Sequence, residues 1–375
     1  MIGKKQLRVE IIVFLLFIVI GSALFVILPD RNFSEQENRL LSSAPQFSLD
    51  AVKSGKFMRE FESYVSDQFP LRDKFVTLKA VSELALGKTE NNGVFFCSDG
   101  SLIDNYTAPA DSQLEDAVRS LSRISANCEQ LGVPLYLALI PGASAINRDK
   151  LPANAPLDDQ RDYITSIYGQ VDPYIRSIDV SGALTAHKDE YIFFRTDHHW
   201  TALGAYYGYA QTVTAMGLSP LALESGRVLS NSFFGTAYSK SGATWVSPDI
   251  LEARVPLYSA ASLDYNSGVA TPVSIYNPEQ LTRKDKYSYF LGGNSPLRVI
   301  YSGFTGGKLL IIRDSYSDIE TPYFLTHFSE IHLLDLRYYK GSVKDYIADS
   351  GITEALVNYS VANFSAEGNL FLLGR

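Results

Sequence analysis

Short apolar runs alternate with helical patterns along most of this chain. Strand-like runs occur at Pro134 to Ile140, Tyr174 to Val180, Tyr191 to Phe194, Leu309 to Ile312, Ile331 to Leu334 and Ala355 to Val357. Helical spacing is found at 113–131, at 158–171 and from the N-cap Thr201 to Met216. Parallel strands need a crossover between neighbours, so this alternation is typical of layered α/β folds. We therefore predict a largely parallel sheet flanked by helices.

Residues 218–305 interrupt this rhythm. They are rich in Ser, Tyr, Gly and Pro and contain only short alternating runs. We predict an inserted region of loops and antiparallel strands that roofs the sheet. Before the alternating part, a helical pattern covers 49–87, and 91–106 predicts a hairpin with its turn at Ser98 to Gly100.

The N-terminal segment carries an apolar run long enough to cross a bilayer. Ile11 to Leu28 are eighteen residues without a charge. As a helix they would span roughly 27 Å, close to the ~30 Å hydrocarbon core. Lys4, Lys5 and Arg8 precede the run, which places the N-terminus in the cytoplasm by the positive-inside rule. We predict a single-pass anchor in the cell membrane, with a cleaved signal peptide as the alternative.

This interpretation divides the chain into three parts. Residues 1–29 form a cytoplasmic stub and anchor, 30–48 a docking stalk, and 49–375 an extracytoplasmic domain. The net charge of −8 excludes nucleic acid as an expected partner, because phosphate binding needs a basic face. Cys128 falls on the core face of a helical pattern and Cys97 in an apolar run, so two buried thiols are favoured over a disulfide.

Two stretches together offer the parts of an activated nucleophile. Asp197 and His199 are two positions apart, so on an extended segment the carboxylate can orient the imidazole as a general base. His198 would point the other way, into a structural hydrogen bond. Ser315 follows the apolar run Leu309 to Ile312, where its N–H could favour a developing oxyanion. The alternative, that Ser315 only caps a helical turn, remains open.

A metal site is the rival hypothesis for the Asp197, His198 and His199 cluster. Adjacent histidines rarely ligate one ion from one segment, and no His-Glu-x-x-His motif or cysteine cluster accompanies them. We therefore predict that the chain uses no metal and no cofactor.

Four further residues are candidates for oxyanion or substrate binding. Asn294 could donate to an oxyanion, although an ordinary turn is the alternative. Arg337 could reach a sugar or acyl oxygen, unless it pairs with Asp335 or Glu37. Trp200 is expected to pack beneath the site rather than against substrate. Tyr316, next to the serine, is the fourth candidate.

The tetrad Asp197-His198-His199-Trp200 resembles the signature of the bacterial DHHW protein family. Three other segments support the resemblance: Glu37-Asn38-Arg39, Asp67-Gln68-Phe69-Pro70 and Asp314-Ser315-Tyr316. That family in turn is similar to the SGNH-hydrolase-like domains of alginate O-acetylation proteins. The resemblance implies an SGNH-like fold, with Asp197 as orienter, His199 as general base and Ser315 as nucleophile. This chain differs in having His198 between the pair and Arg313 and Asp314 before the serine.

The expected function is that of a membrane-anchored O-acyltransferase or esterase acting on acetyl groups of a cell-surface polysaccharide. The acetyl group would pass through an ester on Ser315. By resemblance, the donor partner would be a membrane-bound O-acyltransferase that carries acetyl groups across the bilayer. The alternative is a non-catalytic glycan-binding or assembly protein of the cell envelope.

Overall fold

The computed structural model describes residues 4–34, 39–255, 258–266 and 268–375. They form two compact units. The first runs to Asn91 and includes Ser239–Trp245, and the second contains Asn92–Tyr238 and Val246–Arg375. Of the motif segments that carry the family resemblance, Glu37 and Asn38 lie outside the described residues.

The first unit is mostly helical. Its helices are Lys4–Ile27, Leu49–Lys53, Lys56–Gln68 and Arg72–Ala85, and its short strands are Phe33–Ser34, Arg39–Leu40 and Glu90–Asn91. The pattern predicted as helical over 49–87 is thus interrupted twice. Gly55 and Leu71 have φ of 71° and 61°, in the left-handed region that ends one helix before the next begins. The N-terminal helix contains Arg8–Ile27, a segment long and apolar enough to cross a membrane.

The segment after the N-terminal helix hydrogen-bonds to the end of the helix Lys56–Gln68. The Gln68 side chain accepts from the Arg31 N–H at 2.9 Å and donates to the carbonyl oxygens of Arg31 and Ser42. The Ser42 N–H donates to Asp67 at 2.8 Å. Part of the motif at 67–70 therefore has a structural role in holding this segment.

The second unit is built on an eight-stranded sheet. In spatial order its strands are Val269–Val273, Ala261–Asn266, Leu297–Tyr301, Phe328–Leu334, Gly307–Arg313, Glu354–Ser360, Leu135–Ile140 and Ile175–Ile178. The last five pair in parallel and the first three add to one edge in antiparallel fashion. The predicted largely parallel α/β sheet is confirmed.

The strands Leu135–Ile140 and Gly307–Arg313 are buried on both faces for most of their length, which explains their continuous apolar runs. Leu309 and Ile311 face one core, whereas Leu310 and Ile312 face the other, as the two-residue period of a strand requires. The helices of this unit are Asp111–Leu131, Ala143–Ile146, Gln160–Tyr168, Val180–Ala186, Ala202–Ala215, Ser317–Phe324, Val343–Ser350 and Val361–Ala366. The helix Thr236–Ser241 crosses the boundary between the units, and 3-10 turns lie at Arg148–Lys150, Pro278–Thr282, Lys286–Tyr289 and Leu370–Gly374.

Local signals placed several elements correctly. Thr201 is the N-cap of the helix Ala202–Ala215, and its side chain accepts from the Gly204 N–H. The predicted hairpin is formed by Val94–Phe96 and Leu102–Asp104. Both cysteines are buried and free, as predicted.

Two regions differ from expectation. The stretch Tyr191 to Phe194 forms no strand and makes only an isolated bridge between Phe193 and Trp200. Within 218–305, Arg227–Phe233 and Asp249–Ala253 form a separate antiparallel pair, while three other strands extend the main sheet at its edge instead of covering its face. Alternating sequence identifies a strand but does not say which neighbour completes its hydrogen bonds.

Candidate active site

Ser315 lies in the turn between the strand Gly307–Arg313 and the helix Ser317–Phe324. Its neighbours Asp314 and Tyr316 are buried, whereas Ser315 is partly exposed. The backbone N–H of Ser315 donates no hydrogen bond to any residue that the structure describes. This free donor stands beyond the carboxyl end of a parallel strand, where α/β proteins bind ligands.

Asp197, His199 and Ser315 form a hydrogen-bonded row. His199 Nε2 lies 2.8 Å from Ser315 Oγ, and His199 Nδ1 lies 2.5 Å from Asp197 Oδ1. Asp197 and His199 are buried, so the serine is the member of the row that solvent reaches. A carboxylate on Nδ1 holds the proton there and leaves Nε2 to accept the proton of the serine hydroxyl.

The second oxygen of Asp197 is held by the start of the helix Thr236–Ser241. Asp197 Oδ2 accepts from the Thr236 N–H at 2.7 Å and from its hydroxyl at 3.1 Å. Gly235 permits this approach, because a Cβ atom at that position would stand 2.1 Å from Asp197 Oδ2. The carboxylate is therefore fixed from both sides before any reaction begins.

His198 makes a structural hydrogen bond, as predicted, but its ring lies 3.8 Å from that of His199 and not on the opposite side of the segment. Its Nδ1 lies 2.6 Å from Thr236 Oγ1. The ligand-type atoms of Asp197, His198 and His199 lie within 4.8 Å of one another, close enough to hold a metal ion. Both ring nitrogens of His199 and Nδ1 of His198 already make hydrogen bonds, which a metal would have to break. The geometry favours proton transfer, and the absence of a metal stays a prediction.

Asp249 fixes the backbone that leads into the tetrad. Its buried carboxylate accepts from the N–H groups of Arg195 and Thr196 at 2.9 and 2.7 Å, and from the hydroxyls of Thr196 and Tyr191, both at 2.5 Å. Burial raises the pKa of Asp249, and these hydrogen bonds oppose that shift. The carboxylate thus satisfies the N–H groups just after Tyr191 to Phe194, while within that segment Ile192 and Phe194 donate to the carbonyl oxygens of Glu190 and His199 rather than to a neighbouring strand.

Tyr287 lies flat against the general-base candidate. Its ring centroid is 3.9 Å from that of His199, with 10° between the planes. Its hydroxyl donates to the Ser315 carbonyl oxygen at 2.9 Å, and burial keeps the pKa of this phenol well above its ordinary value. The stacked ring restricts the imidazole to one plane and is a favourable neighbour for positive charge.

Trp200 and Tyr316 connect the tetrad to the turn that carries Ser315. The Trp200 indole is fully buried, and its N–H donates to the Tyr316 carbonyl oxygen at 2.9 Å. The Tyr316 hydroxyl donates to the His198 carbonyl oxygen. Gly208 makes room for the indole, because a Cβ atom there would come within 2.6 Å of its ring. Trp200 is a core residue, as expected. Tyr316 joins the backbone of the tetrad to the turn that carries Ser315 through its hydroxyl.

The pKa values of Asp197 and His199 are shifted in opposite directions by their mutual interaction. Burial opposes charge on Asp197, but His199, His198 and the hydrogen bonds outweigh it and lower the pKa of Asp197 below its usual range. Burial likewise opposes charge on His199, but the carboxylate and its hydrogen bond outweigh it and raise the pKa of His199. A basic imidazole beside a permanent carboxylate is suited to take a proton from a hydroxyl.

The two charged residues before the serine have their own partners. Asp314 Oδ2 accepts from the Ser360 N–H and hydroxyl and from Asn363, so it serves the end of the next strand rather than the serine hydroxyl. Arg313 is buried and pairs with Asp318 at 2.6 Å. The negative charge of Asp314 is therefore stabilised by donors that do not take part in the row.

Two acids in the helix that follows Ser315, Asp318 and Glu320, are also buried. Burial raises the pKa of Asp318 to about 6, although Arg313 opposes the shift. Burial raises the pKa of Glu320 to about 8, although a hydrogen bond from Asn358 opposes it. Burial thus disfavours the charged form of Glu320.

Asn294 and Arg337 lie together, but neither hydrogen-bonds to Asp197, His199 or Ser315. Asn294 Oδ1 accepts from Arg337 at 3.2 Å, and Arg337 forms a two-pronged ion pair with Asp335. Because the Asn294 oxygen faces cations, only its amide nitrogen is available to an incoming group. Their roles in oxyanion or substrate binding remain predictions.

Sequence reasoning missed the residues that support the row. Thr236, Asp249 and Tyr287 all come from the region interpreted as an insertion. Thr236 contacts the tetrad, Tyr287 contacts the serine, and Asp249 contacts Thr196, the residue directly before the tetrad. No short-range spacing identifies these three residues as part of the site. The Gly235-Thr236 pair was the one local signal, because a glycine before a hydroxyl residue is typical of a helix start that another segment approaches closely.

Comparisons with known proteins place this geometry in context. A family model described as DHHW protein matches residues 85–334. The probable alginate O-acetylase AlgJ of Pseudomonas aeruginosa is 30% identical over 176 residues, which are 44% of each chain. The corresponding protein of Pseudomonas syringae is 27% identical over 174 residues. The chain therefore spans less than half the length of these curated relatives.

Solved structures share the fold more completely. A DHHW family protein from Eubacterium siraeum is 26% identical with a TM-score of 0.64, covering 76% of this chain and 95% of that one. Bacillus cereus PatB1, solved with a sulfonyl adduct, is 19% identical with a TM-score of 0.64, covering 75% and 98%. The likeness to PatB1 is one of fold.

Proposed function

The chain belongs to the DHHW protein family, and from that premise we propose that it is a membrane-anchored serine O-acyltransferase or esterase. Its substrate would be the acetyl groups of a cell-surface polysaccharide. The observation that carries the proposal is the hydrogen-bonded row of Asp197, His199 and Ser315. A buried carboxylate, an imidazole and a partly exposed hydroxyl in this order are the parts of an activated serine.

The proposed reaction proceeds in two halves. Ser315 Oγ attacks the carbonyl carbon of an acetyl ester while His199 Nε2 takes the hydroxyl proton. The tetrahedral intermediate collapses, the donor oxygen leaves with that proton, and an acetyl ester remains on Ser315. In the second half His199 takes a proton from a sugar hydroxyl or from water, which attacks the acetyl carbon and releases Ser315.

The oxyanion of each intermediate needs donors that are free beforehand. The Ser315 N–H is unpaired within the described chain and lies at the start of the helix Ser317–Phe324, so it is our first candidate. The amide nitrogen of Asn294 is the second, and Arg337 is a candidate for the acyl or sugar oxygen. Trp200 and Tyr316 contribute by keeping the two halves of the site in register.

The polysaccharide substrate rests on similarity. The relatives from Pseudomonas are named as probable alginate O-acetylases, and we extend the substrate class, not alginate itself, to this chain. We also propose the SGNH-like arrangement, with the order Asp, His and Ser along the chain. A membrane-bound O-acyltransferase is the proposed acetyl donor.

The proposed location follows from the N-terminal helix. Arg8–Ile27 would cross the cell membrane once, with the N-terminus in the cytoplasm and the sheet unit outside. We retain the division into an anchor at 1–29, a docking stalk at 30–48 and an extracytoplasmic domain at 49–375 as part of this proposal.

The pH dependence of turnover follows from His199. Its ordinary pKa of 6.5 is raised in the folded protein, and only the neutral imidazole can accept the serine proton. Activity is therefore present above the raised pKa and lost as pH falls through it. We expect kcat/KM for an aryl acetate to rise with pH, with its half-maximal point above 6.5. A plateau that continues to pH 5.5 would contradict this assignment of the base.

Covalent labelling tests the proposal most directly. The full chain in detergent is treated with an alkyl sulfonyl fluoride, and the modified peptide is located by mass spectrometry. We expect one adduct, on Ser315, and its formation should slow as His199 becomes protonated. As control, Ser329, which is partly buried at the opposite end of the sheet and donates to the Gly307 carbonyl oxygen, should stay unmodified. No adduct on Ser315 in folded protein would favour a non-catalytic glycan-binding role instead.

A further inference from the structure

Two helices in the first unit expose large apolar side chains, part of which contact the N-terminal helix. We propose that the helices Lys56–Gln68 and Arg72–Ala85 rest with their exposed apolar side in the lipid from which the N-terminal helix emerges. The inference rests on the proposed anchor, Arg8–Ile27. It goes beyond the anchor because it assigns a second, independent membrane contact to the extracytoplasmic part of the chain.

Large apolar residues are exposed on the helix Arg72–Ala85 and at both of its ends, beside the exposed lysines Lys74 and Lys79. Leu71, Leu78 and Leu86 are 67%, 59% and 82% exposed. The exposed large hydrophobic residues between 58 and 86 are Met58, Phe61, Leu71, Phe75, Leu78, Val81, Leu84 and Leu86. Scattered single residues of this kind are normal, but a cluster of this size marks a contact surface.

The spacing places the central residues on one stripe. Leu71, Phe75 and Leu78 follow the i, i+4, i+7 pattern of a single helix face, and Val81 continues it. Ala80, two positions after Leu78, is fully buried on the other side of the helix. The helix Arg72–Ala85 is thus amphipathic with its apolar stripe turned outward, which is typical of a helix lying at a membrane surface.

Direct contacts with the proposed span identify lipid as the occupant. The Phe17 ring lies 6.3 Å from that of Phe69 and 6.0 Å from that of Phe75. Nearer the end of the span, Phe25 lies 5.5 Å from Tyr64. The apolar stripe therefore adjoins the surface of the proposed span.

Charged groups near the tip of the two helices are compatible with this position. Arg31 pairs with Asp73 at 2.8 Å, and Arg72 lies 3.9 Å from Asp67. Pairing reduces the cost of bringing these charges close to a low-dielectric medium. Lys74 and Lys79 are exposed, and each can extend its ammonium group away from the apolar stripe while its stem covers apolar surface.

Spin labels at single engineered cysteines test the contact. The native Cys97 and Cys128 are buried, and burial raises the pKa of these thiols to about 11 and about 12, so neither should react. The full chain is reconstituted in phosphatidylcholine vesicles. A nitroxide is placed at Leu78→Cys, at Val13→Cys in the proposed span and at Ser122→Cys on an exposed helix face of the sheet unit. Collision rates with oxygen and with a water-soluble nickel chelate are then measured.

We expect the label at 78 to collide often with oxygen and rarely with nickel, like the label at 13 and opposite to the label at 122. A lipid-like result at 13 with a water-like result at 78 would overturn this inference and leave the anchor intact. A water-like result at 13 would overturn the anchor and this inference with it. Protection of 78 from both reagents would overturn lipid contact in favour of a protein partner.

Discussion

Replacing Ser315 with alanine is expected to lower kcat/KM for an aryl acetate by about 10⁴- to 10⁶-fold, as in other serine triads. The change removes only the hydroxyl group, whose oxygen would attack the acetyl carbon. Ser315 Oγ makes its hydrogen bond to His199 Nε2, and the side chain is partly exposed, so folding should be little affected. The measurement is steady-state hydrolysis by the full chain in detergent.

The control for this variant is Ser329→Ala. Ser329 is also partly buried, and its hydroxyl donates to Gly307 at the opposite end of the sheet. That variant should keep wild-type turnover, and thermal unfolding of both variants should remain within a few degrees of wild type. Equal rates for wild type and Ser315→Ala would remove Ser315 from the mechanism and the acyltransferase proposal with it.

Asp197→Asn is expected to reduce kcat/KM by about 10³- to 10⁴-fold, because the amide cannot hold the imidazole in the required tautomer. Asp197 accepts from His199 on one oxygen and from Thr236 on the other. An asparagine must turn its NH₂ group toward one of these donors. Turned toward His199, it would reverse the tautomer, and turned toward Thr236, it would leave an N–H group unpaired.

Folding and catalysis must be separated in this case, because a buried group is changed. Asp264→Asn is a matched control, since Asp264 is another largely buried carboxylate and pairs with Arg298 at 2.5 Å in the antiparallel part of the sheet. We expect Asp264→Asn to lower the unfolding temperature with turnover nearly unchanged. If Asp197→Asn lost activity only in proportion to its folded fraction, Asp197 would have a structural role alone.

The sequence predicted strands and helices correctly where the local residue pattern matches the burial of the segment. The run Leu309 to Ile312 is apolar without interruption, and its strand is buried on both faces. Thr201 marked a helix start because its capping bond is made within three residues. The prediction was wrong for Tyr191 to Phe194, where the local pattern is equally strand-like. There the side chain of Asp249, far along the chain, takes the N–H groups of the next two residues.

The candidate site also contains residues that local spacing predicted and residues that only distant contacts bring in. The choice and spacing of Asp197 and His199 predicted an oriented base, because contacts two residues apart depend only on local backbone. The supporting groups could not be found this way. Thr236 reaches Asp197 across 39 positions, and Tyr287 lies 88 positions after the ring on which it stacks.

By itself, the sequence determined which chemical groups are present, a carboxylate, an imidazole and a hydroxyl, and which segments form strands and helices around them. Only the tertiary structure decided that His199 and Ser315, separated by 116 positions, lie 2.8 Å apart. The physical reason is that this distance depends on sheet order, on the depth of the Trp200 indole and on the carboxylate of Asp249. Those contacts join distant segments, so they follow from the packing of the whole unit and from no local pattern.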